Sequence, residues 1–135
     1  PISISSACHK FFPGLKGGKM SSSDPTSYVS LTDTPKEAVR KIKKYAFSGG
    51  QPTLEEHRKM GGNPDVDVSF QMLLFGMEPD DKKLQQIYAD YRSGKLLSGE
   101  MKMLLADKVS VFLENHQKQR IEAEKIVKRF VKENF

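Results

Sequence analysis

Ser48-Gly49-Gly50-Gln51-Pro52 is the stretch on which the fold of this chain turns. Two glycines and a proline within five residues end a helix, because glycine loses the most backbone freedom inside one and proline lacks the donor the ladder needs. Before this stretch the composition is loop-and-strand with one helix; after it the patterning is almost wholly helical. A domain boundary is expected here, with residues 1–47 forming one unit and 48–135 a second.

Immediately upstream, Asp33-Thr34-Pro35-Lys36-Glu37 announces a helix. Thr34 is its N-cap, Pro35 sits where its missing donor costs nothing, and Glu37 closes a capping box. The helix is predicted to reach about Ala46, with Val39, Ile42, Tyr45 and Ala46 on its apolar stripe. Lys36, Arg40, Lys43 and Lys44 leave a basic solvent face, and any single lysine among Lys41, Lys43 and Lys44 reads first as solvated. Further upstream, Pro13-Gly14, Lys16-Gly17-Gly18 and Ser21-Ser22-Ser23-Asp24-Pro25 break any period and leave short strand candidates at 2–5 and 28–31.

Downstream, Thr53-Leu54-Glu55-Glu56 is a second capping box, opening a short helix that Gly61-Gly62 stops. Asp65-Val66-Asp67 precedes a helix apolar around most of its circumference, through Val68, Phe70, Met72, Leu73, Leu74 and Phe75, which belongs at the centre of the C-terminal core. Pro79-Asp80-Asp81 starts another, with Leu84, Ile87, Tyr88 and Tyr91 on one stripe and Ser93-Gly94 at its end. Ser98 is the predicted cap of the last helix. With neither Pro nor Gly after Gly99, that helix can approach about 50 Å, with a bend or break expected on the way. Met101, Leu104, Leu105, Val109, Phe112 and Leu113 form its core stripe, and Ile126, Val127, Phe130 and Val131 a second one. There is neither an internal repeat nor a low-complexity segment.

The bulk numbers narrow the class of protein. In 135 residues no apolar run approaches the ~20 needed to span a bilayer, so no membrane role is expected. A net charge of +5 is compatible with a polyanionic partner without requiring one. A single cysteine, Cys8, has no partner for an internal disulfide and fits a reducing, cytoplasmic address. The first residues lack both the basic region and the apolar core of a signal peptide and begin without Met, which suggests a start within a longer protein.

Gly17-Gly18-Lys19-Met20-Ser21-Ser22-Ser23-Asp24 combines flexible glycines, an ammonium group and consecutive hydroxyls. Such a segment suits polyphosphate: the backbone can approach closely, hydroxyl and N–H groups donate to phosphate oxygens, and lysine neutralises developing charge. The spacing is not that of a P-loop. On composition alone, a plain solvated loop is the reading that prevails. Asp65 and Asp67 read as turn and cap residues rather than as a metal pair, so no metal site is expected. His9, His57 and His116 show no ligand or triad spacing, and the adjacency of Cys8 and His9 does not make a nucleophile.

Lys19-Met20-Ser21-Ser22-Ser23 resembles the Lys-Met-Ser-Lys-Ser signature of class I aminoacyl-tRNA synthetases. Its surroundings resemble the eukaryotic-type tryptophanyl-tRNA synthetase family in order. The matching blocks are Phe11-Phe12-Pro13-Gly14-Leu15, Leu31-Thr32-Asp33-Thr34-Pro35, Tyr45-Ala46-Phe47-Ser48-Gly49-Gly50, Glu56-His57-Arg58, Gly61-Gly62-Asn63-Pro64-Asp65-Val66-Asp67-Val68, Ser93-Gly94 and Leu97-Ser98-Gly99-Glu100. The block from Ser48 to Val68 favours the tryptophan enzymes over the sister tyrosyl ones.

The resemblance implies a mainly α chain: the C-terminal edge of a Rossmann-type α/β catalytic domain (1–47) carrying the loop, followed by an α-helical bundle that binds the anticodon (48–135). It implies ATP with Mg2+, tryptophan and tRNA as partners, a parent homodimer, and adenylate formation followed by transfer to tRNA. Lys19 would stabilise the transition-state phosphates, Ser21 and Ser23 would bond them, and the Met20 backbone would lie beside adenine, within an ATP-binding set of Gly18, Lys19, Met20, Ser21, Ser22 and Ser23. Ser22 stands where the bacterial-type signature has a second lysine, and the link from the Phe-Phe-Pro block to Lys19 is shorter than the family pattern. Gly49, Gly50, Gln51 and Arg58 are candidate tRNA contacts, although Gln51-Pro52 replaces an expected basic-acidic pair. The family's His-Ile-Gly-His-like turn is not among these residues, so the isolated polypeptide is expected to make no tryptophanyl-adenylate. The alternative is a non-catalytic helical RNA-binding or protein-interaction module retaining the loop.

Overall fold

The computed structural model describes residues 12–134, and within them each of the first helices begins where a side chain takes over an orphan backbone donor. Helix α1, Pro35–Tyr45, starts at Thr34, whose hydroxyl accepts from Glu37 N while the Glu37 carboxylate accepts from Thr34 N at 2.9 Å. The predicted capping box is therefore complete. Helix α2, Leu54–Met60, starts at Thr53. Helix α3, Val68–Met72, starts at Asp67, and α4, Asp81–Arg92, at Asp80.

Gly61 ends α2 with φ +73°, and a Cβ built there would stand 1.8 Å from Arg92 O. Left-handed backbone and close approach both demand glycine. Gly61→Ala is expected to cost about 2 kcal/mol or more, read as a lowered melting temperature against wild type.

Several expectations change in the folded chain. The strand candidate at 28–31 does not form. Ser30 and Asp33 instead close a turn, with Asp33 N donating to Ser30 O at 3.0 Å and Ser30 N donating to Asp33 Oδ2 at 2.9 Å. Once those donors are satisfied locally they are not offered to a ladder. Among the described residues there are helices and turns but no strand; candidate 2–5 lies outside the described residues, as do Cys8 and His9.

The apolar element beginning at Val68 is not one regular helix. After Met72 it widens into a π-helical turn, Leu73–Met77, closed by Glu78 N donating to Leu73 O at 2.9 Å. Its first part is central to the core as expected, with Val68, Phe70, Met72 and Leu73 buried, but the extra residue in the turn swings Leu74 outward.

Helix α5, Ser98–Asn134, runs without a break, about 55 Å at 1.5 Å per residue. Ser98 is its first residue rather than its cap: Glu100 reaches back to accept from Leu97 N at 2.8 Å, and the Ser98 hydroxyl turns to Tyr91. Met101, Leu105, Val109 and Leu113 are buried as predicted, joined by Ala106, whereas Leu104 and Phe112 flank the stripe and stay exposed. From Lys118 to Val131 every residue is exposed, so Ile126, Val127, Phe130 and Val131 are not a core stripe within this chain.

α1 packs along α5, and α3 with its π turn lies against the same helix. One apolar cluster therefore joins Leu15, Ala38, Ile42 and Ala46 to Val68, Leu73, Tyr91, Met101 and Leu105 across the Ser48 stretch. Gln117 Nε2 donates to Asp33 O at 2.8 Å and clamps the start of α1 to α5. Lys36, Arg40, Lys43 and Lys44 are exposed as predicted. Lys41 is not solvated: it is mostly buried in an ion pair with Asp33 at 2.6 Å, beneath the turn that replaces the strand. Among the described residues no helix is long and apolar enough to cross a membrane.

Candidate functional site: an exposed loop on a buried stem

Residues 14–27 form a loop whose ends are held together from below. Leu15 N donates to Ser27 O at 2.7 Å, Gly14 N to Gly18 O at 2.7 Å, and Gly17 N to Gly14 O at 2.9 Å. Pro13, Gly14, Leu15 and Ser27 are buried, so the stem belongs to the core. The Ser27 hydroxyl works in both directions, accepting from Ser21 N at 3.0 Å and donating to Asp24 O at 2.7 Å. A small side chain with donor and acceptor capacity is what this clasp needs.

Above the stem, residues 16–23 are exposed. The hydroxyls of Ser21 and Ser23 stand 2.8 Å apart and bond each other. Lys16 is tied to Asp24 at 2.8 Å, whereas Lys19 makes no hydrogen bond or ion pair among the described residues. Gly18, Met20 and Ser22 are exposed beside it. The sequence-selected residues therefore come together as a row of backbone, hydroxyl and ammonium groups facing solvent on a fixed base. That arrangement can receive an anion with little reorganisation of the stem.

Asp24 is the buttress of this loop. The hydrogen bond from Lys16, followed by those from the Thr26 hydroxyl and Thr26 N–H, lowers its carboxyl to about 2 from an ordinary 3.8. A folded-state value below the unfolded one means that the interaction favours the ionised, folded form. Its contribution is complete above about pH 4 and disappears as pH falls toward about 2. An NMR titration of the Asp24 carboxyl carbon should give a midpoint near 2; a midpoint at the ordinary value would detach Lys16 from the loop's support.

The second group of candidate residues surrounds Gly49. Gly49 N donates to Asp67 Oδ2 at 2.9 Å, and Gly49 O accepts from Asn63 N at 2.7 Å. A Cβ on Gly50 would meet Ser98 Oγ at 2.2 Å and His57 Nδ1 at 2.8 Å, so glycine is required for close packing. Gln51 N donates to His57 Nδ1 at 3.4 Å and Gln51 Nε2 donates to Gly61 O at 3.0 Å. With Nδ1 accepting, His57 carries its proton on Nε2 and donates to Leu96 O at 2.9 Å. Arg58 Nη1 donates to Gly94 O at 3.0 Å and also to Lys95 O. His57 and Arg58 thus tie α2 to the α4–α5 turn. A cavity of about 680 Å³ opens beside Gln51 and Leu54, walled by Leu97, Glu100, Met103 and Asp107.

Beneath both regions lies a polar centre that patterning assigned only a capping part. Asp67 is fully buried; its Oδ1 accepts from Ser69 N at 2.9 Å and Phe70 N at 3.2 Å, and its Oδ2 accepts from Gly49 N and from Tyr91 OH at 2.8 Å. Tyr91, read from the sequence as apolar packing, also bonds Ser98 Oγ at 2.9 Å. Burial, with the Asp67 carboxylate nearby, raises the Tyr91 phenol well above its ordinary value, so it stays a donor. The signal available in sequence was a tyrosine on the core-facing stripe, whose hydroxyl requires a partner when buried. Asp65 serves in the turn as expected, its N–H donating to Asn63 Oδ1 at 3.0 Å. Among the described residues no group of three His, Cys, Asp or Glu side chains is placed to hold a metal ion.

A helical body presenting a Lys-Met-Ser-Ser-Ser loop on a buried stem is a class I synthetase arrangement, and the chain belongs to that family: the model for tRNA synthetases class I (W and Y) matches residues 3–114. Relatives within the family include tryptophan enzymes of archaea and eukaryotes. It is 59% identical over 123 residues to the tryptophan–tRNA ligase of Sulfurisphaera tokodaii, covering 90% of this chain and 32% of that protein. To the cytoplasmic tryptophan–tRNA ligase of Homo sapiens it is 52% identical over 124 residues, 90% of this chain and 26% of the human protein. The crystal structure of tryptophanyl-tRNA synthetase from Aeropyrum pernix K1 superposes with a TM-score of 0.84 at 42% identity, covering 90% of this chain and 33% of that one. The chain thus spans about a quarter to a third of the length of the curated relatives it matches.

Proposed function

We propose that this chain forms the phosphate-loop wall and the tRNA-binding helices of a tryptophan–tRNA ligase, which activates tryptophan with ATP and transfers it to its tRNA. The observation that carries this reading is the exposed ammonium of Lys19, unpaired among the described residues, beside the Ser21–Ser23 hydroxyl pair, on a stem anchored in the core. Lys19 would neutralise charge on the departing pyrophosphate. Ser21 and Ser23 would exchange their mutual hydrogen bond for bonds to phosphate oxygens, and the backbone at Gly18, Met20 and Ser22 would border the nucleotide. Catalysis here is by positioning and electrostatics rather than through a covalent intermediate.

ATP would arrive with Mg2+, whose charge is the natural substitute for the signature's second lysine at Ser22. Lys16 cannot take that part while it is paired with Asp24. Residues 1–47 are assigned to the catalytic Rossmann-type domain and 48–135 to the helical anticodon-binding domain. In the latter, the exposed Gln51 edge is a better tRNA contact than Arg58, whose guanidinium already bonds two carbonyls. A cytoplasmic location follows the naming of the human relative.

The deciding experiment is tryptophan-dependent ATP–pyrophosphate exchange by the complete protein that carries this chain, with tyrosine as the control amino acid. Exchange driven by tryptophan supports the assignment. No exchange with either amino acid, alongside retained tRNA binding, would leave the non-catalytic RNA-binding module as the function.

A further inference from the structure

The loop of residues 14–27 and the Gly49-Gly50-Gln51 segment meet at one short piece of backbone. Phe47 N donates to Leu15 O, in the stem of the loop, at 2.8 Å, and Phe47 O accepts from Val68 N at 3.1 Å. A Cβ built on Gly17 would lie 3.8 Å from Val68 Cγ2 and 4.0 Å from Phe47 Cβ, so the base of the exposed tip rests on the same two residues. One residue before Val68, the buried Asp67 carboxylate caps α3 and binds Gly49 N. Residues 47–49 are consequently held at both ends by residues 67–68: Phe47 through the Val68 amide and Gly49 through the Asp67 side chain.

From this geometry we infer that Asp67, oriented by Tyr91, is a positioning residue that holds the phosphate loop and the Gly49–Gln51 segment in a single register. It touches no nucleotide. Its two oxygens divide the work: Oδ1 is engaged by the Ser69 and Phe70 amides at the start of α3, and Oδ2 by Gly49 N and the Tyr91 hydroxyl. The Tyr91 hydroxyl is fixed in turn by Ser98, the first residue of α5. A displacement of Gly49 by an occupant of the neighbouring segment therefore has a direct backbone route to Phe47 and then to Leu15. The inference rests on the synthetase reading above, because the loop's task there is to bind ATP.

The test uses the complete enzyme and three variants. Tyr91→Phe removes one hydroxyl from a buried ring of unchanged size. Asp67→Asn retains an oxygen for the α3 amides and sets an amide donor against Gly49 N. Lys19→Ala disables the loop directly. Tyr91→Phe and Asp67→Asn should each raise the KM for ATP by about fivefold, the scale of coupling through packed networks, with the KM for tryptophan unchanged. A purely structural role would lower the active fraction and leave both KM values alone.

In the double variant Lys19→Ala/Tyr91→Phe, the second substitution should add nothing to the first, since both act through one loop. Multiplicative losses, or an unchanged KM for ATP in both single variants, would overturn the inference while leaving the ligase assignment intact. An inert Lys19→Ala would instead remove the phosphate-loop role on which the inference stands.

Discussion

Replacing Lys19 by alanine in the complete protein is expected to cut tryptophan-dependent ATP–pyrophosphate exchange by about 100- to 1,000-fold, the usual effect of deleting one preorganised group that stabilises transition-state charge. Lys19 is exposed and bonds nothing among the described residues, so its loss should change folding stability by no more than about 0.5 kcal/mol. The separation of the two readouts makes the prediction sharp. Lys16, three residues earlier, is a built-in comparison: it is paired with Asp24 and supports the loop's shape, so its removal should affect stability near the stem before it affects chemistry. Unchanged exchange in Lys19→Ala, with the protein folded, would show that the ammonium is not part of the reaction. Arginine at the same position should rescue poorly, because a planar, delocalised fork does not reproduce a compact point charge.

The second large effect is on stability. Asp67→Ala strips four hydrogen bonds from the centre of the helical body and leaves the buried Ser69 and Phe70 amides and the half-buried Gly49 amide without their acceptor. Loss of an N-cap costs about 1 kcal/mol, and each stranded buried donor about 1–3 kcal/mol. A total of roughly 3–5 kcal/mol is expected after local relaxation, a large part of the 5–15 kcal/mol that holds a typical domain together. Equilibrium urea unfolding of wild type and variant measures it. A loss below about 1 kcal/mol, the worth of the cap alone, would mean that the Gly49 and Tyr91 bonds contribute little. Tyr91→Phe should cost less than Asp67→Ala, because Asp67 keeps its three amide donors.

Both predictions depend on residues that local pattern made visible to different degrees. Lys19 stood out because of its type and its neighbours: glycines, hydroxyls and a signature-like run can be read without knowing what packs against them. Asp67 stood out only as a cap. Its capping bonds reach two and three residues along the chain, whereas the bonds that make it a hub reach Gly49, 18 residues back, and Tyr91, 24 residues ahead. His57 is similar, showing no motif spacing yet joining Gln51 to Leu96, 39 residues away. Periodicity describes one helix at a time. It cannot say which side of a helix another element will reach, which is why Leu104 and Phe112 fell on the wrong side of the predicted stripe and Ala106 was passed over.

By itself the sequence determined the helix starts at Thr34, Thr53, Asp67 and Asp80, the glycine stops, the basic face of α1, and the family, because capping, left-handed turns and signature blocks are settled within a few consecutive residues. Tertiary structure alone decided that residues 28–31 close a turn over a buried Lys41–Asp33 pair, that the apolar segment after Met72 widens into a π turn, and that α5 continues unbroken. It also decided that the loop's stem, Phe47 and the Asp67 centre are one connected structure. Those outcomes depend on the solvent exclusion and hydrogen-bond partners that distant segments supply when they meet, and such partners are specified by the packed chain rather than by any window of it.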